Sequence, residues 1–347
     1  MTARHSPLDD RHRALGATTT DFGGWLMPLD YGSVVAEHRA VRQRAGVFDL
    51  SHLGTLRVTG PGAEATLQRA LTNDVAALAP GRAHYTLCLS AGGGIVDDLL
   101  VYRLDWGFFV VPNAANAAAV RAAVEACADD CEIVDVKADL ACVAVQGPQA
   151  AAVVTAAGVD VEGMGYLDVR VLPATSATGS ASGPASAGAP PDAGVLARSG
   201  YTGERGYELF VPASSAPSLW DRVVEGGAQP AGLGARDTLR LEMGYPLHGN
   251  EIGPDTSPVD AGLGWAVKPA TEFVGRDAYV ARKESGPGRR LRGLRALERG
   301  VPRAHCAVRR GDEMVGETTS GTFSPTLRLG VAIAYLDPAV ELGSEVE

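Results

Sequence analysis

The sequence has little of what several special classes of protein require. No apolar run approaches the ~18–20 residues of a membrane-spanning helix. Charged residues interrupt the N-terminal stretch MTARHSPLDDRHRALG, where a signal peptide has its apolar segment. The five cysteines lack CxxC spacing, which argues against both a disulfide framework and a zinc site. We therefore expect a cytoplasmic protein with no membrane association.

Common nucleotide, hydrolase and metal motifs are also missing. The chain contains no GxxxxGK[ST], GxSxG or HExxH motif, and no GxGxxG between a predicted strand and helix. Its 41 Asp+Glu outnumber its 31 Lys+Arg and give a net charge of −10, which argues against a main role in binding nucleic acid. We expect no bound metal and no nucleic-acid partner.

What is present predicts an α+β protein of several domains. A chain of 347 residues exceeds the ~250–300 residues at which one core stops growing. Apolar spacing predicts a helix over 33–45 with Ser33 as its N-cap. The order β-α-β-β-β-α-β over 47–140 is close to a ferredoxin-like unit. Short glycine-separated strands after about residue 288 predict a small all-β domain, and the Ala/Ser/Gly/Pro-rich segment 173–194 predicts a flexible surface insert.

Two adjacent aspartates stand out in GGGIVDDLLVYRL. The strand period of two sends Asp97 and Asp98 to opposite faces, so they do not share a proton. At least one of them should lie beside a packed surface, where a carboxylate needs donors or a cationic ligand. The alternative is a structural acid that accepts hydrogen bonds from local backbone N–H groups. The pattern does not choose between the two residues.

A glycine-rich segment, ARSGYTGERGYEL, supplies another carboxylate. Three glycines around Tyr201 allow the backbone to approach a ligand closely, and Glu208 follows on a predicted strand. The alternative is an ordinary hairpin with a solvated acid.

A predicted helix in ARDTLRLEMGYPLHG carries Arg236 in its first turn and an apolar face made of Leu239, Met243 and Leu247. An arginine there opposes the helix dipole, a small cost that a ligand contact would offset. The alternative is a surface pair with Asp237 or Glu242. Taken together, carboxylates, an arginine and several tyrosines suit a flat, nitrogen-rich aromatic ligand.

Seven segments resemble one family in order and spacing. They are SPLDDRHRALGATTTDFGGWLMPLDYGS, GVFDLSHLG, GGGIVDDLLVY, VVPNAAN, RSGYTGERGYEL, PAGLGARDTLRLEMGYPLHGNEI and TTSGTFSPTL. The chain is similar along them to the aminomethyltransferases of the glycine cleavage system, the T-proteins. The resemblance covers the chain from about residue 6 to the C-terminus.

The resemblance implies a three-domain ring that holds tetrahydrofolate in a central cavity. Its domains would be 1–46 plus 141–255, a ferredoxin-like domain at 47–140, and a linker with a C-terminal β domain at 256–347. The implied reaction moves the methylene carbon of an S-aminomethyl-dihydrolipoyl group, carried by lipoylated H-protein, to tetrahydrofolate. Its products are 5,10-methylenetetrahydrofolate and ammonia.

The resemblance also assigns roles to particular residues. It places Asp98 beside the folate nitrogens as the catalytic carboxylate, and it assigns pterin contacts to Glu208 and Arg236. The remaining residues that it places at the folate are Tyr85, Asn113, Tyr166, Tyr201 and Tyr245.

The sequence departs from the family pattern in places, and related groups offer alternatives. Leu53 replaces a methionine, His248 replaces a frequent tyrosine, and the chain stops at ELGSEVE where the family pattern continues. Dimethylglycine and sarcosine dehydrogenases carry a flavin-binding half that is missing here. Iron–sulfur assembly factors of the superfamily carry a K-G-C-x-x-G-Q-E motif, which this sequence lacks. A non-catalytic folate-binding module would have lost the acid at Asp98.

Overall fold

The computed structural model describes residues 3–172 and 194–347. The predicted insert at 173–194 lies outside the described residues except for Gly194, which begins a strand. Backbone contacts group the described residues into two compact units. Unit 1 contains the residues up to Thr66, Ala76–His84 and Leu99–Leu239; unit 2 contains Leu67–Val75, Tyr85–Asp98 and Arg240–Glu347. The division into three domains stays a prediction.

Helices are interspersed among single strands and runs of consecutive strands along the described chain. The strands are β1 (Arg4–His5), β2 (Thr18–Phe22), β3 (Trp25–Asp30), β4 (Gly46–Asp49), β5 (Leu56–Thr59), β6 (Arg82–Leu89), β7 (Ile95–Leu104), β8 (Gly107–Val111), β9 (Glu132–Asp135), β10 (Leu140–Gln146), β11 (Val169–Leu172), β12 (Gly194–Ala197), β13 (Gly206–Pro212), β14 (Gln229–Pro230), β15 (Arg290–Arg295), β16 (Ala307–Arg310), β17 (Glu313–Ser324) and β18 (Leu329–Leu336). The helices are α1 (Asp9–Ala14), α2 (Val34–Gln43), α3 (Ala63–Ala70), α4 (Ala117–Ala126), α5 (Ala150–Ala156), α6 (Ala216–Glu225), α7 (Leu233–Glu242) and α8 (Arg276–Ser285). Short 3-10 helices span Ala114–Asn116 and Gly264–Ala266.

Unit 1 is built around a six-stranded sheet with the order β11-β12-β13-β10-β4-β14. Buried residues of α5 and α6 pack on one face of this sheet, with Trp220 fully enclosed. Buried residues of α2, α7 and β8 pack together with those of the opposite face. Each fully buried large apolar side chain contributes roughly 1.5–3 kcal/mol. The sheet is therefore covered on both faces, and side chains from β13 reach either cluster.

The predicted order β-α-β-β-β-α-β is confirmed, and it has one strand more than the ferredoxin-like unit that it is close to. The elements follow as β5-α3-β6-β7-β8-α4-β9, and the sheet order is β6-β7-β8-β5-β9. Strand β5 pairs antiparallel with both β8 and β9, as the first strand of a split βαβ unit does. The boundary between the two compact units falls within β6 and β7.

Unit 2 contains the predicted all-β part. Strands β15-β18-β17-β16 form an antiparallel four-stranded sheet that starts at Arg290. This confirms an α+β fold with a small all-β C-terminal region.

The two predicted helices have different outcomes. Helix α2 begins where expected, because the Ser33 side chain accepts a hydrogen bond from the Ala36 N–H. The expected apolar face on α7 is wrong beyond Leu239, since the helix ends at Glu242. Gly244 has φ +69°, a left-handed conformation that stops the helix, and Met243 is exposed.

Within unit 2, a buried ion pair ties the last turn of α7 to the C-terminal sheet. The Arg240 guanidinium donates to Glu251 over 2.8 Å, and both side chains are almost completely buried. Arg240 also donates to the Ser320 hydroxyl over 2.8 Å. The Ser320 and Thr319 hydroxyls each donate to the other oxygen of Glu251 over 2.6 Å. Removing one partner would leave a buried charge without compensation.

We expect Arg240→Met to lower the free energy of unfolding by about 3–5 kcal/mol, because Glu251 would remain buried as an unpaired charge. Urea unfolding followed by circular dichroism measures the change. The matched control is Arg121→Met, since Arg121 forms an exposed pair with Glu125. That control should leave the unfolding midpoint unchanged, and an equally small effect of Arg240→Met would contradict the prediction.

Candidate functional site

The aspartate pair on β7 lies on opposite faces of the strand, as its period requires. Asp97 is fully buried, and Asp98 is half-buried. The glycine turn before them is tightly packed: a Cβ on Gly94 would lie 1.7 Å from the Pro254 carbonyl oxygen. The backbone at the start of β7 therefore needs glycine, and the turn presents Asp98 on the more exposed face.

Tyr85 is the predicted residue that the structure brings to Asp98. Its hydroxyl donates a hydrogen bond to Asp98 Oδ2 over 3.0 Å. The ring of Tyr85 stacks on that of Trp265, with centroids 5.1 Å apart and an interplanar angle of 24°. Sequence reasoning missed Trp265, because a lone tryptophan in GLGWAV belongs to no motif or periodic pattern. Asp98, Tyr85 and Trp265 form one connected group in unit 2.

Tyr245 lies in the loop after α7, also in unit 2. It is half-buried, and its carbonyl oxygen accepts a hydrogen bond from the Arg240 guanidinium over 3.1 Å. His248 follows in the same loop, with its Nε2 3.3 Å from the Ile95 carbonyl oxygen. These contacts attach the loop to the buried ion pair and to the start of β7.

Glu208 lies on β13 in unit 1 and is only 5% exposed. Strand alternation turns Tyr207 and Leu209 into the cluster under α5 and α6, so Glu208 faces the opposite side of the sheet. The Ser199 hydroxyl donates a hydrogen bond to Glu208 Oε2. The alternative of a solvated hairpin acid is therefore wrong, because this carboxylate is buried.

Arg236 is the cation that the structure associates with Glu208. Its guanidinium lies 4.8 Å from the centre of the Tyr201 ring, within the range of a cation–π contact. Burial lowers the pKa of Arg236, while the charge of Glu208 and the Tyr201 phenol oppose that shift. Arg236 is half-buried, so its side chain is not fully solvated.

Two neutral groups lie in the same electrostatic environment. Burial, and then the charge of Glu208, raise the pKa of the Tyr102 phenol well above its usual value. The same two causes raise the pKa of the Cys142 thiol. Both groups therefore stay protonated near neutral pH and add no negative charge beside Glu208. Tyr102 and Cys142 were not predicted as site residues.

His52 is a buried polar residue that the sequence analysis did not single out. It is 3% exposed, and its Nδ1 has no hydrogen-bond partner within 3–172 and 194–347. Its ring meets Phe22 edge-on at 5.3 Å. Burial, then the charge of Arg236, lower the pKa of His52 to about 3, against the opposite effect of Asp49. His52 is therefore a neutral imidazole at physiological pH.

Asp49 anchors the N-terminal segment beside His52. Its carboxylate accepts hydrogen bonds from the Ser6 hydroxyl and, over 2.8 Å each, from His12 Nε2 and the Ser51 N–H. The Tyr31 hydroxyl lies 2.8 Å from His12 Nδ1. Burial alone would raise the pKa of Asp49, but its hydrogen bonds to His12, Ser51 and Ser6 lower it. A charged carboxylate is thus maintained in the interior of unit 1.

The remaining predicted residues are less enclosed. Asn113 is half-buried and precedes a 3-10 helix, where its carbonyl oxygen accepts from the Asn116 N–H over 3.1 Å. Tyr166 is 65% exposed. Unit 1 thus brings together Glu208, Arg236 and Tyr201, and unit 2 brings together Asp98 and Tyr85. The folate contacts of all these residues, and the catalytic role of Asp98, stay predictions.

The described parts of the chain contain no group of three or more His, Cys, Asp or Glu side chains arranged to hold a metal ion. They also contain no helix that combines the length and the apolar character needed to cross a membrane.

Family models match most of the chain. The GCVT N-terminal domain matches residues 8–271, and the glycine cleavage T-protein C-terminal barrel domain matches residues 289–347.

Curated proteins and a solved structure match nearly the whole chain. An aminomethyltransferase of Mycobacterium avium is 48% identical over 96% of this chain and 88% of its own length. The aminomethyltransferase of Mycobacterium tuberculosis strain H37Rv is also 48% identical, over 99% of this chain and 91% of its own length. The crystal structure of the glycine cleavage system aminomethyltransferase T of Bartonella henselae matches with a TM-score of 0.89 at 36% sequence identity. The match covers 99% of this chain and 92% of the Bartonella chain.

The buried His52 predicts a specific acid sensitivity. An unfolded histidine has a pKa near 6.5, and the folded value is about 3. The unfolded state therefore binds more protons between these values, and folding stability falls as the pH drops through that window. We expect His52 to account for about 2 kcal/mol of the stability lost between pH 7 and pH 5, at about 1.4 kcal/mol per pKa unit.

Urea unfolding of His52→Gln at both pH values measures this contribution. The variant should lose about 2 kcal/mol less stability than the wild type between pH 7 and pH 5. His305→Gln is the control, because that side chain is 83% exposed. Equal pH dependence of wild type and His52→Gln would show that His52 is not held neutral by the fold.

Proposed function

The chain belongs to the glycine cleavage T-protein family of aminomethyltransferases, and from this premise we propose that it transfers a one-carbon unit from lipoylated H-protein to tetrahydrofolate. The match to both family models and the identity of 48% over nearly the whole chain make it an enzyme of this family. The donor, the acceptor and the residue roles below are our proposal. The observation that carries it is the Asp98 carboxylate, half-buried and held by the Tyr85 phenol.

The proposed reaction balances without an oxidant or reductant. The methylene carbon of the S-aminomethyl-dihydrolipoyl group loses its bonds to sulfur and to nitrogen. It forms new bonds to N5 and N10 of tetrahydrofolate. The sulfur leaves as the dihydrolipoyl thiol, the nitrogen leaves as ammonia, and 5,10-methylenetetrahydrofolate is formed.

Asp98 would stabilise the charge that develops during this transfer. As the carbon–sulfur bond breaks, the aminomethyl carbon becomes iminium-like, and a fixed carboxylate nearby lowers the energy of that positive charge. The same carboxylate would orient the folate amine for attack. Tyr85 supports this role, because its hydroxyl donates to one carboxylate oxygen without neutralising the charge. Holding both substrates in place supplies a further part of the rate.

Glu208 and Arg236 would bind the pterin. A carboxylate accepts hydrogen bonds from ring and amino N–H groups, and the Ser199 hydroxyl fixes Glu208 in one orientation. Arg236 would donate to pterin acceptor atoms, with Tyr201 against its guanidinium. Tyr85, Asn113, Tyr166 and Tyr245 would complete the folate contacts. The neutral state of Tyr102 and Cys142 supports this assignment, because neither group adds a negative charge beside Glu208.

A methylene-transfer assay tests the proposed reaction directly. Aminomethylated H-protein and tetrahydrofolate are supplied, and ammonia and 5,10-methylenetetrahydrofolate are measured. We expect the two products in equal amounts, in a reaction that needs both substrates. Folate binding without ammonia release would contradict the proposal and favour a non-catalytic folate-binding protein.

We expect Asp98→Asn to lower turnover by about 10²–10⁴ while folding and folate binding remain, because the amide keeps the shape and loses the charge. Steady-state assays and folate titration measure the two effects. Asp105→Asn is the control, since Asp105 is an exposed carboxylate just after the same strand. Near-normal turnover of Asp98→Asn would rule out the assignment of Asp98.

We expect Glu208→Gln to act mainly on binding. Loss of a charged acceptor for N–H groups should raise the KM for tetrahydrofolate by roughly 10–100-fold, the worth of one hydrogen bond to a charged group. Turnover at saturating folate should change much less. Glu125→Gln, on the exposed side of α4, should change neither quantity. An unchanged KM in Glu208→Gln would remove this residue from the pterin site.

A further inference from the structure

Trp265 is an exposed side chain in an otherwise buried segment of unit 2. It lies in the 3-10 helix Gly264–Ala266, and its side chain is 60% exposed. Its neighbours Leu263, Ala266 and Val267 are 6%, 0% and 3% exposed and belong to one apolar cluster. The segment therefore buries its other side chains and presents the indole outward.

Hydrogen bonds on either side of Trp265 fix its backbone. The Thr72 hydroxyl donates to the Ala266 carbonyl oxygen over 3.0 Å, and the Lys268 N–H donates to the Thr72 carbonyl oxygen over 2.8 Å. The Lys268 ammonium donates to the carbonyl oxygen of Trp265 itself over 3.1 Å. The exposed indole thus stands on a rigid support.

The indole covers the ring of Tyr85. A centroid distance of 5.1 Å and an angle of 24° lie within the range of attractive offset stacking. The backbone of Tyr85 is held separately, because the Asn73 side-chain amide donates to its carbonyl oxygen over 2.8 Å. With the backbone fixed, the stacked indole limits the remaining rotation of the Tyr85 side chain.

The direction of the Tyr85 hydroxyl depends on that ring orientation. The hydroxyl reaches Asp98 Oδ2 at 3.0 Å, and a hydrogen bond weakens steeply when its donor moves out of line. Trp265, Tyr85 and Asp98 therefore form a chain of contacts in which the first member sets the orientation of the second, and the second holds the third.

We infer that Trp265 is a positioning residue for the transfer reaction: it holds the Tyr85 phenol in the orientation that keeps the Asp98 carboxylate fixed. This inference rests on the proposed function, because it takes Asp98 as the carboxylate beside the reacting atoms. Trp265 acts through Tyr85 and need not contact either substrate.

The inference has a kinetic signature. A donor to a carboxylate favours its charged form, so losing the donor moves the acid limb of the pH–rate profile to higher pH. Without the hydrogen bond from Tyr85, the Asp98 carboxylate is less firmly held. This also lowers kcat, since its charge is no longer fixed where positive charge develops. Neither effect requires a change in the KM for tetrahydrofolate or for H-protein.

The experiment is a double-mutant cycle with Trp265→Ala, Tyr85→Phe and the combined variant. We expect each single variant to lower kcat on the order of tenfold, the worth of one hydrogen bond to a charged group. The combined variant should be no slower than Tyr85→Phe alone. Trp265→Ala should shift the acid limb to higher pH and leave both KM values unchanged.

Matched control variants distinguish the loss of stacking on Tyr85 from the general effect of removing an exposed side chain. Trp265→Phe keeps a stacking ring and should retain most of the turnover. Met314→Ala removes another side chain of unit 2, 57% exposed, and should have no effect. Melting temperatures of all variants should agree with that of the wild type, because Trp265 and Met314 are exposed and Tyr85→Phe keeps the aromatic ring.

Several results would overturn the inference. Multiplicative losses in the combined variant would show that Trp265 does not act through Tyr85. A change confined to the KM for tetrahydrofolate or H-protein would make Trp265 a contact residue for that partner instead. If Asp98→Asn is inactive while Trp265→Ala is normal, only this inference fails. Normal turnover of Asp98→Asn would instead contradict the proposed function.

Discussion

The period of two along a β-strand is the constraint on which the arrangement of acidic groups depends. On β7 it buries Asp97 completely and leaves Asp98 half-exposed on the other face. On β13 it turns Tyr207 and Leu209 into one core cluster and Glu208 towards the opposite face. A one-residue slip of either strand would exchange the faces. The packing that fixes strand register therefore also decides which carboxylates are available for chemistry.

Burial of these charges determines the state of the groups around them. Glu208 is almost fully enclosed, and its charge adds to burial in keeping the Tyr102 phenol and the Cys142 thiol protonated. Arg236 acts in the same way on His52, because a nearby cation and a dry environment both disfavour an imidazolium. Glu208 and Arg236 thus lie near the neutral groups of Tyr102, Cys142 and His52. Because burial lowers the effective dielectric constant, both charges would act more strongly on a ligand than they would in water.

The sequence predicted the features that leave a local or periodic trace. The start of α2 was predictable because its N-cap hydrogen bond depends on one local residue, Ser33. The opposite faces of Asp97 and Asp98 follow from the alternation of side chains along a strand. The choice of Asp98 over Asp97 needed the resemblance to a family, because alternation treats both residues alike. Trp265 and His52 escaped prediction because each is a single side chain whose role depends on residues distant in sequence. Helix α7 was predicted too long, since a helical pattern of apolar residues continues past Gly244, where the backbone turns left-handed.

The partners of the buried carboxylates distinguish support from function. Glu251 is paired with Arg240, so its charge is neutralised within the fold. Asp98 and Glu208 accept hydrogen bonds from hydroxyl groups, of Tyr85 and Ser199 respectively, and the charge of Arg236 also acts at Glu208. A hydroxyl fixes a carboxylate in space without cancelling its charge, so the negative potential stays available to N–H groups or developing positive charge. In the transfer that we propose, a carboxylate of this kind at Asp98 would stabilise the iminium-like carbon, and the one at Glu208 would accept from pterin N–H groups.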